Sequence, residues 1–190
     1  MRPTETVSVG RAATAALLIM ATIGACGGGG ASVPKNIRAV GRVSGSDTFV
    51  AVTKYGSGID AYVCDGKTVG ETFRGRARGG NVDLRSDDGA RLQATVTGKK
   101  VTGRFTPTSG PSLAFTAQAA EKPAGLYRAR VVANGQTITA GWVLLPDGEQ
   151  RGTQLMGVVV APAPVLNGTS NVVRIAGMTV TAMAIDESNP

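Results

Sequence analysis

Three kinds of side chain in this sequence could do chemistry: two cysteines, a run of alternating arginines and a small group of aspartates. Cys26 and Cys64 are the only thiols, and there is no histidine. The missing imidazole removes the commonest general base near neutral pH and the commonest nitrogen ligand for zinc or copper. Arg74, Arg76 and Arg78 occupy alternate positions, so in an extended strand their guanidinium groups line one face at about 7 Å intervals. A planar guanidinium fork pairs with phosphate or carboxylate, which makes this face a candidate site for an anionic lipid headgroup or an acidic envelope polymer. Arg85, Arg104, Arg128 and Arg130 extend it if their strands are neighbours. The plainer reading is a solvated outer face that discourages edge-to-edge association. Asp83, Asp87 and Asp88 surround one turn but lack the spacing of a calcium loop such as the EF-hand. No nucleophile elbow, phosphate-cradling glycine loop or obvious carboxylate pair occurs. No catalytic residue, metal site or cofactor is therefore assigned, and the expectation is a protein that is not an enzyme.

Cys26 carries the most specific chemistry. Arg2 and Arg11 precede an apolar run over 12–25, which ends in Ile23-Gly24-Ala25 immediately before the thiol. A basic segment, a short apolar segment and small residues are the marks of a secretory signal peptide. The run is too short to cross about 30 Å of hydrocarbon as a helix, which needs about 20 residues. Ile23-Gly24-Ala25-Cys26 resembles the lipobox of bacterial lipoprotein precursors: an aliphatic residue, two small residues, then the cysteine that receives a diacylglyceryl group. The resemblance implies cleavage before Cys26, acylation of its sulfur and attachment to the outer face of the cell membrane. One acyl chain gives only marginal binding, so two or three are what make such an anchor durable. Gly27–Gly30 and Ala31-Ser32-Val33-Pro34 follow as a flexible tether. The expected organisation is a signal peptide over 1–25, lipidated cysteine and tether over 26–40, and one domain over 41–190.

Composition agrees with a single domain, since about 150 residues suit one sizeable core. The leader holds Arg2, Arg11 and Glu5. Beyond it stand 18 Lys and Arg (20 less two) against 12 Asp and Glu (13 less one), a surplus of six positive charges. That surplus favours anionic surroundings such as phospholipid headgroups or acidic envelope polymers; the expected location excludes nucleic acid as a partner. With Cys26 committed to lipid, Cys64 has no partner for a disulfide within the chain. At a strand end in Tyr62-Val63-Cys64-Asp65-Gly66, it reads as a small buried hydrophobe.

The elements that must position these residues are strands. From about Asp47 the chain alternates apolar and polar residues in short segments, with no long helical stripe. Asp65-Gly66, Asp88-Gly89, Asn134-Gly135 and Asp147-Gly148 mark tight turns that tolerate positive φ. A strand and a turn about every ten residues predict an all-β, antiparallel up-and-down meander closing into a small barrel or sandwich. The period of two points Phe73, Val82, Leu84, Leu92, Val96, Val101, Phe105, Phe115 and Ala117 inward and leaves the arginines outside. Later segments are apolar on both faces. Ile138, Ala140, Trp142 and Leu144 share one side with Val143 and Leu145 behind them, and Gly157–Ala161 and Met178–Ile185 are similar. Those strands are expected to be covered on both sides or to face a partner. Ala161–Thr169 is a loop, and Asp186-Glu187 falls in a frayed tail.

Tyr62-Val63-Cys64-Asp65-Gly66, Gly125-Leu126-Tyr127-Arg128 and Gly141-Trp142-Val143-Leu144-Leu145-Pro146-Asp147-Gly148 resemble short motifs of uncharacterised secreted or lipid-anchored actinobacterial proteins. That resemblance implies no activity. The reading is a lipid-anchored, non-catalytic binding or structural module of the cell envelope. Two alternatives stay open: a carrier of lipid or another apolar ligand in a barrel cavity, or docking to anionic envelope components through the arginine face. Gly75, Ala77, Ala94, Ala129 and Ala140 would leave room for a cavity, or equally make a narrow, filled barrel.

Overall fold

A computed structural model of the chain describes residues 32–186. The segment expected to be a signal peptide, Cys26 and the glycines after it lie outside the described residues. Fifteen strands form three antiparallel sheets, and no helix occurs among the described residues. The first eight are β1 (Asn36–Val43), β2 (Phe49–Tyr55), β3 (Gly58–Cys64), β4 (Gly70–Arg76), β5 (Asn81–Arg85), β6 (Arg91–Thr97), β7 (Lys100–Thr106) and β8 (Leu113–Ala119). They form one sheet in the order β4-β3-β2-β1-β8-β7-β6-β5. Its two edges, β4 and β5, are consecutive in sequence and meet at the paired residues Arg78 and Asn81. The meander thus curls into a nearly closed barrel, which leaves little exposed edge.

The alternation read from the sequence sets the barrel's two faces. Val50, Val52, Ile59, Ala61, Phe73, Leu92, Val96, Val101 and Phe105 point inward and are buried. Phe73 on β4 and Phe105 on β7 meet edge to face across the interior, with ring centroids 6.3 Å apart, a favoured aromatic geometry. At the seam, Gly75 is small because Leu84 lies against it: a Cβ there would stand 2.5 Å from Leu84 Cδ2.

One end of the barrel is closed by the chain's own entry segment. Lys54 follows Val50 and Val52 on the inward face, and its Nζ donates to the carbonyls of Pro34, Lys35 and Gly56 at 2.7, 2.9 and 2.6 Å. Val33 lies over Gly80, and Ser32 O accepts from Gly98 N at 3.1 Å. The first strand therefore begins at Asn36, within the span expected to be tether. Ile37, Ala39 and Val40 are buried and hold that stretch in the sheet.

The meander is not the whole fold. β9 (Gly125–Ala133), β10 (Gln136–Leu144), β11 (Gln150–Met156), β12 (Val159–Pro162) and β15 (Met183–Ala184) form a second sheet in the order β12-β11-β10-β9-β15. One face of it covers the outside of β1–β3, with Leu126, Val143, Leu145 and Ile185 packed on Val40, Phe49, Ala51, Tyr62 and Cys64. Its other face, with Tyr127, Ala129, Ile138, Ala140, Trp142 and Leu144, is covered by a hairpin of β13 (Val172–Ile175) and β14 (Met178–Thr181) and by Leu166. This is why β10 is apolar on both faces, whereas β9 carries Arg128 and Arg130 on its barrel side. Ala129 and Ala140 belong to this second core and not to the barrel, so they leave no room inside it.

Polar contacts lock the two sheets together. Tyr62 Oη and Thr153 Oγ1 share a hydrogen bond of 2.5 Å, Cys64 Sγ donates to Arg151 O at 3.2 Å, and Thr53 Oγ1 donates to Ile185 O at 3.2 Å. The buried Phe49 ring lies between the guanidinium groups of Arg42 and Arg151, 4.6 and 4.7 Å from its centroid. Asp186 is held too, 3.1 Å from Lys122 and 3.6 Å from Arg38, so it is no frayed end; the second sheet's last strand brings it against the barrel.

Candidate anion-binding site

The arginines are separated by the curvature of the barrel into two groups. Arg74, Arg76 and Arg78 do project from the outer face, as the alternation requires, because Phe73 and Ala77 pack inward. Arg74 turns toward β3, where its Nε donates to Asp60 Oδ1 at 3.1 Å. Arg76 and Arg78 lie at the seam, where the chain passes from β4 to β5. There they border an open groove of about 790 Å³ over the outward faces of β5, β6 and β7. Arg104 of β7 lines the same groove, together with Asn81, Gln93, Thr95 and Thr102. Closure of the meander brings Arg104 near Arg76 and Arg78, although 26 residues separate Arg78 from Arg104 in sequence.

Charge in the groove is net positive. Its one carboxylate, Asp83, is bound by Arg91, whose Nη2 and Nε stand 2.6 and 2.8 Å from the two Asp83 oxygens. That bidentate bond holds the Asp83 carboxyl below its usual range. Arg104 is oriented by donation to Ser112 Oγ at 3.1 Å and Ser112 O at 3.0 Å. Two free guanidinium forks beside an oriented third, in a concavity rimmed by amide and hydroxyl groups, form an acceptor for a multidentate anion. Arg85 does not take part: it pairs in register with Arg91 at the far end of the β5–β6 ladder.

Arg128 and Arg130 lie on β9, in the other sheet. Arg128 faces Asp60, Arg74, Tyr55 and Tyr62; burial and the Arg74 charge lower its pKa, and Asp60 opposes that shift. Arg130 is exposed. Of the seven arginines named from sequence, Arg76, Arg78 and Arg104 share one groove, Arg74 and Arg128 flank the buried Asp60, and Arg85 and Arg130 stand apart.

Sequence reading missed Asp60, the centre of that cluster. It is 1 % exposed and accepts from Tyr55 Oη at 2.6 Å as well as from Arg74. Burial, then the bond to Asp60, pushes the Tyr55 phenol up to about 12. The signal was present: Asp60 shares a strand face with Tyr62 and Cys64 in an otherwise apolar segment, and a charge there requires partners. Cys64 is fully buried, and burial pushes its thiol up to about 12. Asp65 serves the turn after it, accepting from the amides of Lys67, Thr68 and Val69 at 2.7, 2.9 and 2.9 Å.

No protein-family model, curated protein or solved structure matches this chain.

Proposed function

We propose that this protein is a lipid-anchored, non-catalytic binding module on the outer face of the cell membrane, with a groove for anionic envelope components. The anchor rests on Ile23-Gly24-Ala25-Cys26 behind its basic and apolar leader. The observation that carries the binding role is the convergence of Arg76, Arg78 and Arg104 on one open concavity whose only carboxylate is already bound by Arg91. A groove of this volume accommodates several phosphate- or carboxylate-bearing units side by side. The carrier alternative gains no support from the barrel, where the Phe73 and Phe105 rings meet across the interior.

Two measurements test the two halves separately. Metabolic labelling with a fatty-acid probe should mark the wild-type chain and not Cys26→Ala; label that survives the substitution refutes the anchor. Binding of polygalacturonate, as a soluble acidic polymer, should weaken with rising salt and be lost in the triple variant Arg76→Ser, Arg78→Ser, Arg104→Ser. Undiminished binding by that variant refutes the groove.

A further inference from the structure

The second sheet ends in an apolar tip that no other described residue covers. The β9–β10 and β11–β12 turns lie at the same end of this sheet, and the β10–β11 turn lies at the other. At the first end Val132, Leu155, Met156, Val158 and Val159 are all exposed, Val158 at 96 % and Val132 at 63 %. In the stretch 157–161, read from sequence as covered or facing a partner, Val158 and Val159 are exposed and Val160 and Ala161 half-buried.

Three observations identify the partner. First, the exposed side chains surround the tip. Leu155 lies level with Thr139 and Arg130, on the face toward the barrel that Val132 shares. Met156 and Val159 pair with each other and lie level with Ile138 and Val131, on the opposite face. A flat protein surface can cover one face of a sheet; only a medium that encloses the end can cover both. Second, the tip is two turns wide and presents five exposed apolar residues, whereas a stable protein interface takes about 20–30 residues a side. Third, charge is sorted along the sheet. Between Leu126 and Val165 the only acids are Asp147 and Glu149, and both sit in the β10–β11 turn, paired with Arg42. The tip end carries Arg130 and no carboxylate. Apolar residues at the end of a sheet, with a cation level with Leu155 and set back from the other four, match the boundary between acyl chains and anionic headgroups.

We infer that the tip formed by Val132, Leu155, Met156, Val158 and Val159 dips into the surface of an anionic bilayer, with Arg130 at headgroup level. This deepens the envelope reading, which supplies the membrane. The anchor would fix the chain to the bilayer, and the tip would fix how the domain is oriented on it, leaving the arginine groove, on the other sheet, to a ligand.

The test reads the tip directly, because vesicle binding as such would also follow from the anchor. Val158→Trp is introduced into the full chain, which is reconstituted on phosphatidylglycerol–phosphatidylcholine vesicles carrying acyl-chain bromine. The native Trp142, buried beneath the Pro164 loop, provides the background from the parent chain. The expected result is a blue-shifted indole emission that is lost on brominated lipid and recovered when Arg130→Glu is added. A water-like, unquenched emission on vesicle-bound chain overturns the proposal. So does a blue shift without vesicles that grows with protein concentration, the mark of a second copy covering the tip. Leu155→Asp with Met156→Asp in the same chain should restore the water-like emission; if quenching persists, the introduced ring alone is inserting and the proposal falls. Fatty-acid label on Cys26, scored on the same samples, reads the anchor independently of the indole.

Discussion

Cys64 and Asp60 are neighbours in sequence and opposite in consequence. Cys64 is a thiol that burial keeps protonated; in a Cys26→Ala chain, no thiol should react with a disulfide reagent at pH 8 until denaturant is added. Reaction of the native protein would show that the β3 end opens. The same raised values fix a pH response. The Cys64 thiol moves from 9.0 to about 12 and the Tyr55 phenol from 10.0 to about 12 on folding. The unfolded chain releases these protons first, so stability is full below about pH 9 and declines between pH 9 and 12. Urea midpoints taken across that range check it; a flat profile would contradict the burial of both groups. Asp60 is a charge that burial would expel without partners. Asp60→Asn removes the countercharge of Arg74 and Arg128 and should cost about 2–3 kcal/mol, with Tyr55→Phe costing about 1 kcal/mol because it deletes a single hydrogen bond. Equal losses for the two would place the energy in the hydrogen bond and not in the charge.

Strands in this barrel approach closely where glycine removes a side chain. A Cβ on Gly41 would run into the Thr116 carbonyl and one on Gly103 into the Gln93 carbonyl, both backbone atoms of a paired strand. At Gly75 the obstacle is only the end of the Leu84 side chain. Gly41→Ala and Gly103→Ala should therefore each cost at the upper end of the overpacking range of about 1–3 kcal/mol, and Gly75→Ala less, because a rotamer can yield where a backbone cannot. Thermal unfolding of the three variants decides the order. The β9–β10 turn shows the reverse use of small residues: Asn134 and Gly135 both have positive φ, 52° and 75°, which a two-residue hairpin needs to follow the strand twist. The Lys54 ammonium does for the barrel end what a turn does for a strand pair, tying three carbonyls together. Lys54→Met keeps the stem and drops the donors; it should destabilise by about 1–3 kcal/mol, since three carbonyls lose a charged donor while Lys35 O keeps the Gly56 amide.

Barrel, second sheet and outer hairpin share their cores in series, with the second sheet buried on both faces. Phe49, held between Arg42 and Arg151, joins the first two layers, so the whole should unfold as one. Trp142 reports on the second sheet, and far-ultraviolet circular dichroism reports on all strands; their urea transitions should coincide, and two separated transitions would show that the layers fold independently. Phe49→Ala should lower the unfolding free energy by about 3–5 kcal/mol and shift the shared midpoint down without splitting the transition.

Much of this arrangement was legible from residue order. The period of two placed Phe73, Leu92 and Phe105 inside and Arg74, Arg76 and Arg104 outside, because side-chain direction in a strand is a local property of the backbone. Double-faced apolarity marked β10 as covered on both sides or facing a partner, and Asn-Gly and Asp-Gly pairs marked the turns. What local order could not supply was which strands become neighbours. Seam closure at Arg78 and Asn81 brought Arg104 into the groove and left Arg128 and Arg130 on another sheet, a choice made by pairing energies between residues far apart in sequence. The same non-local packing brought Arg128 of the second sheet to Asp60 and left Val158 bare. Alternation tells a strand which side each residue takes; only the assembled layers decide what stands on that side, because burial is a property of the neighbours that arrive and not of the segment itself.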